Sequence, residues 1–164
     1  MNNVRGVMDQ VAGLLDEDGF AHESLDDGRV IKTGFRSDVA SLKVLISAMD
    51  DPLVMFVVVR IPLVAPEVKR VAMAEAITRI NYGMTLGRFE MNMSTGDVNF
   101  YAAIPIIDSA LTQEQFRLVL GAAIQRSQEQ YHVFGRLLFD NDLTPAAAVA
   151  EFEFARRGGA KARQ

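Results

Sequence analysis

The chain has 164 residues, 49% hydrophobic and 23% charged, the balance of one ordinary globular domain with room for a substantial core. It has no cysteine, which removes disulfides, thiolate nucleophiles and Cys-ligated metals. The formal charge is −4, and the four cations after Ala155 leave −8 on residues 1–155, so the body repels a phosphate backbone and nucleic acid is not an expected partner.

The first predicted element is an amphipathic helix. Val4, Val7, Met8, Val11, Leu14 and Leu15 recur at helical spacing, Asn2 or Asn3 can cap the start, and Gly19 sits where a left-handed C-terminal cap belongs. Asp26-Asp27-Gly28 then signals a turn into a strand over Val30–Phe35, followed by a second strand over Leu42–Ala48. Asp50-Asp51-Pro52 turns the chain into Leu53–Ile61, LVMFVVVRI. This third strand is apolar on both faces, with Val54, Phe56 and Val58 on one side and Leu53, Met55, Val57 and Val59 on the other. An antiparallel strand with one wet face should alternate, so this one needs cover on both sides, from helices of its own chain or from a partner.

Pro66 suits a first helical turn, and Val68, Val71, Ala72, Ala76 and Ile80 then share a face that Met73 and Ile77 widen. Gly83 ends that helix. Phe89, Met91 and Met93 alternate with polar residues, and Val98, Phe100, Ala102 and Ile104 form the matching strand across a Ser-Thr-Gly-Asp turn. Thr112 and Gln115 make a capping box, with Leu111 and Phe116 placed as a hydrophobic staple. A long apolar stripe follows through Val119, Leu120, Ala123, Ile124, Ser127, Tyr131, Phe134 and Leu138, with Gly135 placed to end or bend the helix. Thr144-Pro145 opens a short Ala-rich helix carrying Val149 and Phe152. The expected fold is therefore α+β: an antiparallel sheet of about five strands flanked by helices, in the order α-β-β-β-α-β-β-α-α. Residues 1–155 form one domain, and residues 156–164 a basic, Gly-containing tail expected to be disordered.

Catalytic chemistry finds little footing. His22 and His132 are the only histidines, too few for a zinc or non-haem iron site without cysteine. Asp16-Glu17-Asp18, Asp26-Asp27 and Asp50-Asp51 fall at helix ends and turns, where acids are solvated. Gly83-Met84-Thr85-Leu86-Gly87-Arg88 mimics a phosphate loop but follows a helix and precedes a strand, the reverse of what puts a helix N-terminus on an anion. The longest apolar run, Leu53–Val59, is too short to span a bilayer, and the start lacks a signal-peptide pattern; a cytoplasmic protein away from membranes is expected.

Two stretches, AEAITRINYGMTLGRFEMNMSTGDVNFYAAIPI and LTQEQFRLVLGAAIQRSQEQY, carry a family resemblance. Through the Ile80-Asn81 helix end, the Leu86-Gly87-Arg88-Phe89 strand start, the Asp97–Ile104 strand and the Leu111-Thr112 helix start, the chain resembles the YbjN-type bacterial sensory transduction regulator domain from roughly Leu14 to Ala150. The resemblance implies a fold like that of type III secretion chaperones, a homodimer, a protein client, no cofactor and no known reaction. It offers no catalytic residues. The expectation is a non-enzymatic protein-binding module, chaperone-like or a signalling regulator, whose interface candidates are Val54, Phe56, Val58, Met91, Met93, Phe152 and Phe154. A competing expectation is a small-molecule sensor with its pocket between the sheet and the long third helix, anchored by Tyr82, Arg88 and Tyr101.

Overall fold

The structure, a computed structural model, describes residues 3–106 and 110–161, with side chains through Arg157. Helix α1 (Val4–Glu17) starts where the Asn3 side chain accepts the Gly6 N–H at 2.8 Å; the other candidate cap, Asn2, lies outside the described residues. Four strands follow: β1 (His22–Leu25), β2 (Val30–Arg36), β3 (Ser41–Met49) and β4 (Val54–Val64). Then come α2 (Arg70–Tyr82), β5 (Arg88–Met91), β6 (Asp97–Pro105), α3 (Gln113–Phe139) and α4 (Pro145–Lys161).

All six strands join one sheet in the order β1-β2-β3-β4-β6-β5, every neighbouring pair antiparallel. The first four form a meander. The chain then passes through α2 to β5, and β6 returns between β5 and β4. This is the expected α+β architecture with one strand more. The addition is β1, whose His-Glu-Ser-Leu sequence carries no apolar alternation and is mostly exposed. Its place comes from the backbone ladder to β2, with Glu23 opposite Lys32 and Ser24 opposite Ile31. The Thr33 hydroxyl, which donates to the Ala21 carbonyl at 2.8 Å, ties the same edge down.

One face of the sheet is closed. Ile31, Leu42, Val44, Ile46, Met55, Val57, Val59, Ile61, Phe89, Val98 and Phe100 are all buried there. Phe89 meets Phe100 and Phe134 edge-to-face at 5.1 and 5.2 Å, joining the sheet to α3. Each such fully buried side chain contributes roughly 1.5–3 kcal/mol of transfer free energy. Helix α1 packs on β2 and β3, α3 on β4 and β6, α2 beside β5, and α4 on α2 and α3.

Three helix expectations need correction. The face that α2 buries is Met73, Ala76, Ile77 and Ile80, while Val68 and Val71 point to solvent. Glu67–Lys69 form a separate 3-10 turn, so regular helical phase begins only at Arg70. Helix α3 continues through Gly135 to Phe139, buried on both sides of it by Phe134 and Leu137; its buried stripe drifts onto Gln130 and Val133, leaving Tyr131 and Leu138 half-covered. Helix α4 is long where a short helix is expected, running from Pro145 to Lys161. Its N-terminal half is rich in alanine, a strong helix former, and is anchored by Val149 and Phe152. Residues 162–164 of the basic tail lie outside the described residues.

Candidate functional site

Among the described residues, no helix packs on the second face of the sheet. The strand register assembles it in transverse rows. One row crosses all six strands: Glu23, Lys32, Leu45, Val58, Tyr101 and Arg88. On one side of it lie Leu25, Val30, Ser47, Phe56 and Ala103, then Met49, Val54 and Pro105. On the other lie Lys43, Arg60, Asn99 and Glu90. The centre is apolar: Leu45 and Met49 are 41% and 45% exposed, and Val54, Phe56, Val58 and Tyr101 are half-buried only by one another and the strands themselves. The Phe56 and Tyr101 rings sit 5.6 Å apart.

Cations rim this centre. The Arg88 guanidinium lies 4.5 Å above the Tyr101 ring centroid and 3.4 Å from Glu90. Burial pushes the Tyr101 phenol above its usual range, opposed by a smaller downward pull from Arg88 and reinforced by the Glu90 charge. Arg60 donates to Asp97 at 2.7 Å, and Lys32 reaches Glu23 at 3.3 Å. The hydroxyl of Thr95 and the guanidinium of Arg60 hold the Asp97 carboxyl below the usual carboxylate range. With Arg36 and Lys43 the face carries five cations against Glu23, Glu90 and Asp97, a net of +2 on a chain of −4. The rest of the chain therefore carries −6.

The expected interface residues divide. Val54, Phe56 and Val58 are neighbours on the uncovered face. Met91 turns to the opposite side and packs against the core, whereas Met93 lies beyond β5 in the turn, exposed, with its carbonyl accepting from Arg70 at 3.0 Å. Phe152 packs against the core, and Phe154 on α4 is 81% exposed. Leu45, Met49 and Lys43 belong to the face and escaped the sequence reading. In β3 the spacing of Leu42, Val44 and Ile46 marks a core face; Leu45 and Met49 break that alternation and were the available signal.

The proposed ligand anchors do not converge between the sheet and α3. Tyr82 is 96% exposed at the end of α2, and Arg88 and Tyr101 stack on the far side of the sheet. The sheet–α3 layer is filled by Phe89, Phe100, Phe116 and Phe134. Two cavities that border α3, of about 240 and 310 Å³, open between it and α4. His22 sits 3.4 Å from the Phe20 carbonyl and 3.6 Å from the Asp16 carboxylate, and His132 is an exposed side chain of α3. Among the described residues no group of three or more His, Asp or Glu is placed to hold a metal ion, and no helix is long and apolar enough to cross a membrane.

The loop from Gly83 to Arg88 is architectural. Gly87 has φ +70° and its Cα abuts the Phe100 ring, so any Cβ there would overlap it. In the β5–β6 turn, Gly96 has φ +82° and abuts the Ala65 carbonyl, which again excludes a side chain. Asn92 organises the same turn, its side-chain oxygen accepting from the Ser94 and Thr95 N–H groups.

The sheet edges are blunted. β1 is four residues long and polar. At β5, the Asn81 side chain pairs with the outward N–H and C=O of Phe89, both at 2.8 Å. Short, side-chain-capped edges are poor templates for strand addition.

Comparison with curated proteins finds no match. Among solved structures four chains match, one of them the crystal structure of YbjN from E. coli, 15% identical over 74% of this chain and 85% of that one, with a TM-score of 0.50. At that identity the likeness speaks for the fold. Residues 8–136 match the model of the YbjN family, described as "Putative bacterial sensory transduction regulator". That match takes in all six strands and three of the four helices, through most of α3. The chain belongs to the YbjN family.

Proposed function

We propose that the chain is a non-enzymatic protein-binding module, chaperone-like or a signalling regulator, that works as a homodimer and engages a protein client through apolar surface. Val54, Phe56 and Val58 lie at the centre of the client site. The observation that carries this reading is the one-sided sheet. All four helices pack on one side, and the other presents a contiguous patch of Leu45, Met49, Val54, Phe56, Val58 and Tyr101. Isolated soluble chains rarely expose such patches unless something docks there. Because both edges are blunted, the face is favoured over strand addition as the mode of engagement. Tyr82 on α2 and Phe154 on α4 are exposed on the helical side, and these helices pack together, which makes that side the candidate dimer surface.

The docking half is tested with a photo-crosslinking residue at position 58, compared with one at exposed Leu118 on α3. A client trapped at 58 and absent at 118 is the expected result. Equal recovery from both positions, or none from 58, overturns it. Light scattering tests the dimer, which should give twice the 18.1 kDa of the chain at tens of micromolar and lose mass on Phe154→Glu. A concentration-independent single-chain mass removes the dimer from the proposal.

A further inference from the structure

We propose that the segment docking on the uncovered face is acidic as well as apolar: a stretch of another polypeptide that lays apolar side chains on Leu45, Phe56 and Val58 and carboxylates on the Lys43–Arg60 row. This rests on the protein-binding reading above and fixes the chemistry of the partner.

Lys43 and Arg60 are direct cross-strand partners, two like charges with Cβ atoms about 5 Å apart, an arrangement that costs stability in a sheet. Arg60 is relieved by Asp97, whereas Lys43 has no ion pair or hydrogen bond among the described residues. A carboxylate arriving above the pair converts that repulsion into two attractions. The charge distribution steers in the same direction, because an acidic segment is drawn to a face of +2 and repelled by the −6 on the rest of the chain.

A second copy of the chain fits this face poorly. With strands aligned, one two-fold axis, between β3 and β4, sets Lys43 of one copy on Arg60 of the other, like charge on like. The other axis sets the Lys43–Arg60 row over the Met49–Val54–Pro105 row, where Lys43 would be desolvated without a partner. Nucleic acid fits poorly too. Lys32, Arg60 and Arg88 already meet carboxylates on the same face, so a ligand held by charge alone gains little here, and the aliphatic floor favours one that also brings apolar side chains.

The test uses the full chain and two fluorescein-labelled 16-residue peptides with identical leucine and phenylalanine positions. The remaining positions are glutamate in one and lysine in the other, and an oligothymidylate of equal length serves as a third probe. Anisotropy titrations should show the glutamate peptide binding about tenfold more tightly than the lysine peptide, with the difference shrinking in high salt. Lys43→Glu should remove that preference without lowering the melting temperature, since it sets an opposite charge across from Arg60, whereas Arg157→Glu on α4 should leave the preference intact. Binding of neither peptide, equal binding of both, or tighter binding of the oligothymidylate overturns the inference. So does a dimer that dissociates on Phe56→Glu, which would place a second copy on this face. If position 58 traps a client whose crosslinked segment is not acidic, the docking reading stands and only the acidic partner is lost.

Discussion

The side-chain amide of Asn81 stands in for a missing neighbour strand. Its oxygen accepts the Phe89 N–H and its nitrogen donates to the Phe89 carbonyl, so the outer edge of β5 is satisfied at its most buried residue. The reciprocity fixes the orientation of the amide, since a backbone N–H can only donate. Asn81→Leu keeps the size and removes both bonds, leaving two polar backbone groups unpaired beside the core. The expected cost is about 1–3 kcal/mol in chemical denaturation. Asn81→Asp retains one of the two bonds and should fall between. A leucine variant as stable as the parent would show that water replaces the amide. In the sequence this residue reads only as the end of a helix. Its partner lies eight positions on, and nothing in a single chain's spacing marks a helix-terminal amide as the cap of a strand edge.

Among the elements, α1 and α3 are clasped at one corner. The Arg117 guanidinium forks onto the Asp18 carboxylate, Gln113 donates to Glu17 at 2.8 Å, and the Gln10 amide donates to the Leu111 carbonyl. The hydrogen bond from Arg117 holds the Asp18 carboxyl below the usual range, with burial opposing and the Arg117 charge adding to the effect. A carboxyl lowered in the folded state binds its proton less readily there than in the unfolded chain. The clasp is therefore complete above the ordinary carboxylate range and is lost as pH falls through the lowered folded value. Melting curves of the parent and Asp18→Asn, taken at low ionic strength, should differ at neutral pH and converge below about pH 4. Curves that stay parallel into acid would remove Asp18 from the clasp. At this scale the sequence was legible wherever a local signal sufficed. The Thr112–Gln115 capping box is present in both directions at 3.1 Å, and the apolar periods of α1 and β4 match their buried residues. It failed where position is set by a neighbour. β1 exists because β2 offers a ladder, and the phase of α2 follows from a 3-10 turn that apolar spacing does not register.

At the scale of the whole molecule, one strand is apolar twice over. The stretch from Leu53 to Ile61 announces a need for cover on both sides. Which side goes uncovered, and which residues of other strands share it, depends on register between segments far apart in the chain: Lys43 with Arg60, Val58 with Tyr101. The charged rim is illegible for the same reason, as each cation looks like an ordinary polar break in its own strand. Adjacent valines of β4 test the resulting one-sided picture directly. Val57 is fully buried on the closed face, and Val58 lies on the face that no helix of the described residues covers. Replacing either by threonine exchanges a methyl for a hydroxyl at nearly constant volume. Val57→Thr buries a hydroxyl in the closed layer and should cost about 1–3 kcal/mol in denaturant unfolding. Val58→Thr should stay within about 0.5 kcal/mol, since its hydroxyl can reach water. Equal costs at low protein concentration would mean that something within the chain covers Val58. Equal costs appearing only at high concentration would mean that a second copy does. A small cost at position 58 at every concentration leaves the face free for a different polypeptide, the condition that an acidic client requires.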